Sequence, residues 1–104
     1  MDTFELIADP TRRRLIELLT EGERAAGELV SHFDVSFSAI SQQLRILSEA
    51  NLVQSRRDGR RQLYRLRPQG LDPVADWFAR YARSFWEKKL RNLDGVLRRM
   101  NDET

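Results

Sequence analysis

Two groups of side chains in this sequence carry chemistry, and both suit a polyanion. Arg56, Arg57, Arg60 and Arg61 crowd around the dipeptide Asp58-Gly59. Guanidinium groups gathered at a tight turn follow phosphates or dip into a minor groove. Earlier in the chain, Ser38, Ser41, Gln42 and Arg45 recur at helical spacing, with no acidic side chain until Glu49. A surface turned toward phosphates must avoid carboxylates. Short polar side chains there meet base edges, Gln42 can pair in bidentate fashion with adenine, and Arg45 suits a phosphate or a guanine. Phe37, at the start of this face, either touches a thymine methyl or staples the helix start against the body.

The charge distribution points the same way. Residues 1–52 hold five Arg against nine Asp or Glu, a balance of −4. Residues 53–67 hold six Arg and one Asp, a balance of +5, and the remainder is close to neutral at +1. A focused basic patch on a nearly neutral body is the footprint of a polyanion-binding surface. Other chemistries are poorly served. The chain has no cysteine, which excludes disulfides, thiolate metal sites and thiol switches. His32 is the one histidine, and a single imidazole is not a metal site. No Gly-rich phosphate loop and no Ser/His/Asp triad marks an enzyme, and no cofactor is expected. No apolar run approaches the ~18 residues of a membrane span. Met1 to Pro10 carries acids and no basic leader region, so it is not read as a secretory signal, and a cytoplasmic location is expected.

These groups need elements to hold them. A short helix is predicted over about Thr3 to Ala8, with Phe4 and Ile7 on one face. Asp9-Pro10 then reads as a cap and first helical residue, starting a second helix to about Glu21 whose stripe is Leu15, Leu18 and Leu19. Gly22 ends it. A third helix spans about Ala25 to Phe33, burying Leu29, Val30 and Phe33. Asp34-Val35 turns the chain, and Ser36 caps a fourth helix reaching about Ala50. Ile40, Leu44 and Leu47 form its apolar face. Asn51 closes it in a left-handed cap. Val53 to Arg57 and Arg60 to Arg67 read as strands joined at Asp58-Gly59, with Leu63 or Tyr64 and Leu66 turned inward.

After Pro68, Gly70 and Pro73, a last helix runs from Pro73 to near Met100. Val74, Trp77, Phe78, Tyr81, Phe85, Trp86, Leu90, Leu93, Leu97 and Met100 line it with apolar surface. Such a helix spans roughly 45 Å, more than a domain of this size can cover, and a second copy is the simplest cover. The stripe is equally compatible with some of its aromatics lining a ligand pocket. The order of elements is that of a winged helix-turn-helix, whose second helix of the helix–turn–helix pair enters the major groove.

The residues also resemble a known family. Asp9-Pro10-Thr11-Arg12-Arg13-Arg14-Leu15, Gly27-Glu28-Leu29, Ser41-Gln42-Gln43-Leu44-Arg45-Ile46-Leu47, Asn51-Leu52-Val53 and Gly59-Arg60-Arg61-Gln62-Leu63-Tyr64-Arg65-Leu66 are similar to the ArsR (arsenic-repressor-type) family, over about residues 3 to 97. The resemblance implies a dimeric repressor of an imperfect inverted repeat, dimerising through the first and last helices. It implies DNA contacts at Phe37, Ser38, Ser41, Gln42 and Arg45, with backbone contacts from the wing arginines. Metal-sensing members carry a Cys-x-Cys-type motif where this chain reads Glu28-Leu29-Val30-Ser31-His32. Others use His on the last helices, where residues 73–100 have none. Metal sensing is therefore not carried over.

The expectation is a mostly α chain with a small β-hairpin. It is a winged helix-turn-helix of five helices plus a two-stranded wing, with a long C-terminal dimerisation helix. Residues 1–104 form one domain, with 3–70 as the DNA-binding core and 71–100 as the dimerisation helix. DNA-binding residues are Phe37, Ser38, Ser41, Gln42, Arg45, Arg56, Arg57, Arg60 and Arg61. Dimerisation residues are Phe4, Trp77, Phe78, Tyr81, Phe85 and Trp86. The partners are double-stranded DNA, a second copy and a small-molecule inducer of unspecified chemistry. The competing reading is a winged-helix adaptor that binds protein rather than specific DNA.

Overall fold

Two aspartates start the first two helices. Asp2 accepts the Glu5 N–H at 2.8 Å and opens α1 (Thr3–Ala8), and Asp9 accepts the Arg12 N–H at 2.9 Å and opens α2 (Pro10–Leu19), with Pro10 in its first turn. In the computed structural model, which describes residues 1–102, the chain divides into two compact units, residues 1–73 and the segment from Val74 on.

In the first unit, α3 (Ala26–Val30) and α4 (Phe37–Glu49) form the helix–turn–helix. Leu15, Leu29, Ile40, Leu44, Leu47, Leu52 and Val53 are fully buried, so α2, α3, α4 and the start of the hairpin share one core. On α1 the buried side chain is Leu6, Ile7 is half-buried and Phe4 is 42% exposed. Arg12 Nε donates to the Leu6 carbonyl at 2.8 Å and ties that turn to α2.

Arg12 is the one charged side chain buried here among the described residues. Besides Leu6 it donates to the Glu5 carbonyl at 3.3 Å and to Gln43 Oε1 on α4 at 3.0 Å. One planar fork therefore joins α1, α2 and α4. Arg12→Ala is expected to cost about 3 kcal/mol in urea unfolding, because it strands buried acceptors. Arg12→Lys restores only part, since a single ammonium lacks the fork. A loss under ~0.5 kcal/mol in the alanine variant contradicts this role.

The third helix is shorter than expected. Ala25 offers no capping side chain and stays extended, at φ −75° and ψ 152°. It belongs instead to a short strand β1 (Arg24–Ala25), which pairs antiparallel with β3 (Arg61–Leu66) at Ala25↔Leu63. With β2 (Val53–Asp58) the sheet has three strands in the order β1-β3-β2, one more than the expected wing. The register Asp58↔Arg61 makes Gly59-Arg60 the two-residue loop, one position later than expected. Gly59 has φ +62° while Arg60 has no positive φ, the pattern of a hairpin with glycine first. Asn51 takes φ +60° beyond α4, the left-handed cap expected of it.

A 3-10 turn (Pro68–Leu71) follows the hairpin and folds back on Asn51-Leu52. The Arg67 N–H reaches the Leu52 carbonyl at 2.8 Å. A Cβ on Gly70 would lie 2.8 Å from the Asn51 carbonyl oxygen, so only glycine fits that approach.

The helical path then starts as α5 (Asp72–Trp77), passes through a π turn (Phe78–Ala82) and continues as α6 (Arg83–Asp102). The single α-helix expected from Pro73 is thus interrupted by a wide turn, in which the Arg83 N–H reaches the Phe78 carbonyl. Trp77, Phe78, Tyr81, Phe85 and Trp86 are each between 42% and 64% exposed. No helix among the described residues is long and apolar enough to cross a membrane.

Candidate nucleic-acid interface

α4 is held by its own buried face. Ile40, Leu44 and Leu47 have no exposed surface, and Ser36 Oγ accepts the Ala39 N–H at 3.1 Å, fixing where the helix begins. The side chains at i, i+3, i+4 and i+7 from Ser38 must then turn outward. Ser38, Gln42 and Arg45 are exposed and Ser41 is half-buried. The first turn carries no acid. Arg45 Nε donates to Glu49 Oε1 at 3.1 Å, but both side chains are largely solvated. Such a surface pair contributes little and yields readily to a phosphate. Phe37 is 57% exposed. It lines a notch of about 450 Å³ with Ala25, Glu28, Arg60 and Arg61. That notch brings the start of α4 beside the wing.

The four arginines of the hairpin fall into two kinds. Arg56 grips Glu23 with two hydrogen bonds, Nε to Oε2 at 3.0 Å and Nη2 to Oε1 at 2.7 Å. That hydrogen bonding holds the Glu23 carboxyl below the usual carboxylate range and raises Arg56 further. Arg61 donates to Glu28 Oε1 at 2.9 Å. These two pairs tie the hairpin to the loop before β1 and to α3. Arg57 and Arg60, by contrast, enter no ion pair or side-chain hydrogen bond among the described residues. The sequence places four cations around one turn; the structure leaves two of them uncommitted. Arg65 is occupied too, its Nε and Nη2 donating to Gln54 Oε1 at 3.0 and 2.6 Å.

A cleft of about 500 Å³ on the hairpin is lined by Glu23, Ser48, Asn51, Gln54, Arg56 and Arg65. Its charged groups are satisfied by the pairs just described, and nothing in it is arranged as nucleophile and base. No group of three or more His, Cys, Asp or Glu among the described residues is placed to hold a metal ion.

Sequence reasoning missed Arg12, Glu23 and Glu28. Arg12 had a signal, since it lies three and seven residues before Leu15 and Leu19, on the buried stripe of α2. The glutamates had none. Each meets its arginine across 33 residues of chain, and only the sheet order β1-β3-β2 brings them close.

Comparison with known proteins supplies the remaining context. The family model for bacterial regulatory proteins of the arsR family matches residues 9–55. The HTH-type transcriptional regulator Rv2034 of Mycobacterium tuberculosis is 36% identical over 101 residues, covering 97% of this chain and 91% of that protein. The transcriptional repressor SdpR of Bacillus subtilis is 34% identical over 80 residues, covering 77% of this chain and 89% of that protein. A crystal structure described as a "possible transcriptional regulator for arsenical resistance" superposes with a TM-score of 0.71 at 49% identity, over 92% of this chain and 96% of that one. The homodimeric winged helix-turn-helix DNA-binding domain of Mb0332 from Mycobacterium bovis superposes with a TM-score of 0.57 at 32% identity, over 72% and 67%.

Proposed function

This chain belongs to the arsR family of bacterial regulatory proteins, and from that premise we propose that it is a homodimeric, metal-independent repressor that reads an inverted-repeat operator in double-stranded DNA. The observation that carries the reading is the outward face of α4. Ser38, Ser41, Gln42 and Arg45 present donors and acceptors without an acid in the first turn. Beside them, across the notch at Phe37, stand the uncommitted Arg57 and Arg60. Base edges in the major groove meet α4, while the wing arginines meet phosphates.

The dimer reading draws support from the exposed aromatics of the last helix and from the homodimeric Mb0332 domain. A two-fold pair sets its two α4 helices about 34 Å apart, one turn of DNA, or a multiple of that. The metal-independent part rests on the absence of cysteine and on a last helix without histidine. Adding zinc or arsenite is expected to leave operator affinity unchanged.

Gln42→Ala tests the base-reading role. It is expected to relax preference at one position per half-site, where the wrong base now costs about 1–3 kcal/mol less. The measurement is competition binding against a set of single-base operator variants. Equal weakening on every duplex, random DNA included, reassigns Gln42 to the backbone.

A further inference from the structure

Apart from Phe85, four residues after Tyr81, and Val96, the large apolar residues of the last helical segment fall into two sets with regular spacing. Val74, Trp77, Phe78 and Tyr81 step by three or four from one helical turn to the next. Trp86, Leu90, Leu93, Leu97 and Met100 step by four, three, four and three, the heptad spacing of a helix that pairs with another. Between Tyr81 and Trp86 the step is five. An α-helix advances about 100° per residue, so a step of five puts Trp86 about 140° round from Tyr81 and centres the second set about 130° away from the first. In an unbroken α-helix the two sets together would smear over an arc of about 220°, too wide for one partner helix to cover.

The π turn stands at that step. It runs over Phe78–Ala82 and is closed by the Arg83 N–H on the Phe78 carbonyl, an i→i+5 bond. Such a turn takes one extra residue, so everything after it is set back by about 100°. The correction brings Trp86, Leu90, Leu93, Leu97 and Met100 round onto the face of Trp77 and Tyr81, within an arc of about 120°. Phe85 moves to the edge of that face. There the Lys89 ammonium lies 4.8 Å from the Phe85 ring and 5.9 Å from the Trp86 ring, a cationic border between the apolar face and water.

We propose that the π turn at Phe78–Ala82 sets the phase of the last helix, joining two apolar segments into one continuous face that a second copy of this chain covers. The inference rests on the dimer reading above and adds the device that makes its surface continuous. A second copy is the occupant because the heptad seam of α6 is self-complementary and the similar Mb0332 domain is homodimeric.

Two single-residue changes in the full chain separate phase from composition. Deleting Ala82 removes the extra residue, turns the segment into plain α-helix and keeps both sets on one face. Inserting one alanine after Ala82 rotates the second set by about a further 100°. In sedimentation equilibrium the deletion is expected to hold the dimer dissociation constant within about threefold, and the insertion to weaken it by about 30-fold or more. Tryptophan quenching gives a second readout, because Trp77 and Trp86, the two tryptophans of the chain, flank the turn. In the Trp77→Phe and Trp86→Phe variants the remaining indole is expected to be shielded from acrylamide in the dimer in both cases. A deletion that dissociates like the insertion, or an insertion as dimeric as the unaltered chain, overturns the proposal. Shielding of one indole but not the other does the same. If the unaltered chain is monomeric throughout, the dimer reading falls together with it; a dimeric chain with two equal variants removes the phasing alone.

Discussion

Replacing Arg57 and Arg60 together by alanine is expected to weaken DNA binding about 100-fold and to flatten its salt dependence, each lost charge-assisted contact being worth about 1.5 kcal/mol. Each phosphate contact releases condensed counterions, so losing two lowers the slope of log K against log salt by about 1.8. The structure singles out these two positions. Arg56 and Arg61 are engaged by Glu23 and Glu28, and a phosphate must displace a carboxylate to reach either. Arg57 and Arg60 need give up no partner. Arg56→Ala is therefore expected to leave the salt slope near its original value, although it too removes a positive charge from the hairpin. The measurement is fluorescence anisotropy of a labelled duplex over a salt series. Equal slopes for the Arg57/Arg60 double variant and the unaltered protein contradict a phosphate-binding wing tip.

The second large effect is expected from Trp86→Asp. Trp86 is 49% exposed on α6 and edge-on to Phe85, with ring centroids 6.0 Å apart. In the proposed dimer it lies on the covered face, where tryptophan is a common energetic anchor. A carboxylate there removes the anchor and strands a charge out of water, a combined loss of about 4 kcal/mol, roughly 1,000-fold in the dimer dissociation constant. Operator affinity falls with it, because two half-sites are then bound by independent chains. Trp86 is not one of the buried core residues, and the variant is expected to keep the fold of the hairpin and α4, which circular dichroism checks. A variant that remains dimeric at the original concentration places the interface elsewhere.

Much of this was legible in the sequence because it is local. Asp9-Pro10 and Ser36 announce helix starts through hydrogen bonds that span three residues, and both caps form as expected. Ile40, Leu44 and Leu47 lie at helical spacing and are buried together. What sequence periodicity could not supply is long-range or geometric. β1 exists only because Arg24-Ala25 finds β3, and two residues carry no alternation to read. The turn at Gly59-Arg60 is set by strand register, which places Asp58 opposite Arg61. Composition alone makes all four wing arginines equivalent; Glu23 and Glu28 distinguish them from a distance. The five-residue step from Tyr81 to Trp86 is visible in the sequence, yet reads as a loose stripe until the wide turn gives it a phase.

The most direct test of a dimeric reader of DNA is selection of duplexes from a fully random library by the unaltered chain. The expected product is an inverted repeat whose half-site centres lie about 10 base pairs, or a multiple, apart, matching two α4 helices related by a two-fold axis. A pool that remains random after selection, or that converges on a single unpaired half-site, contradicts it.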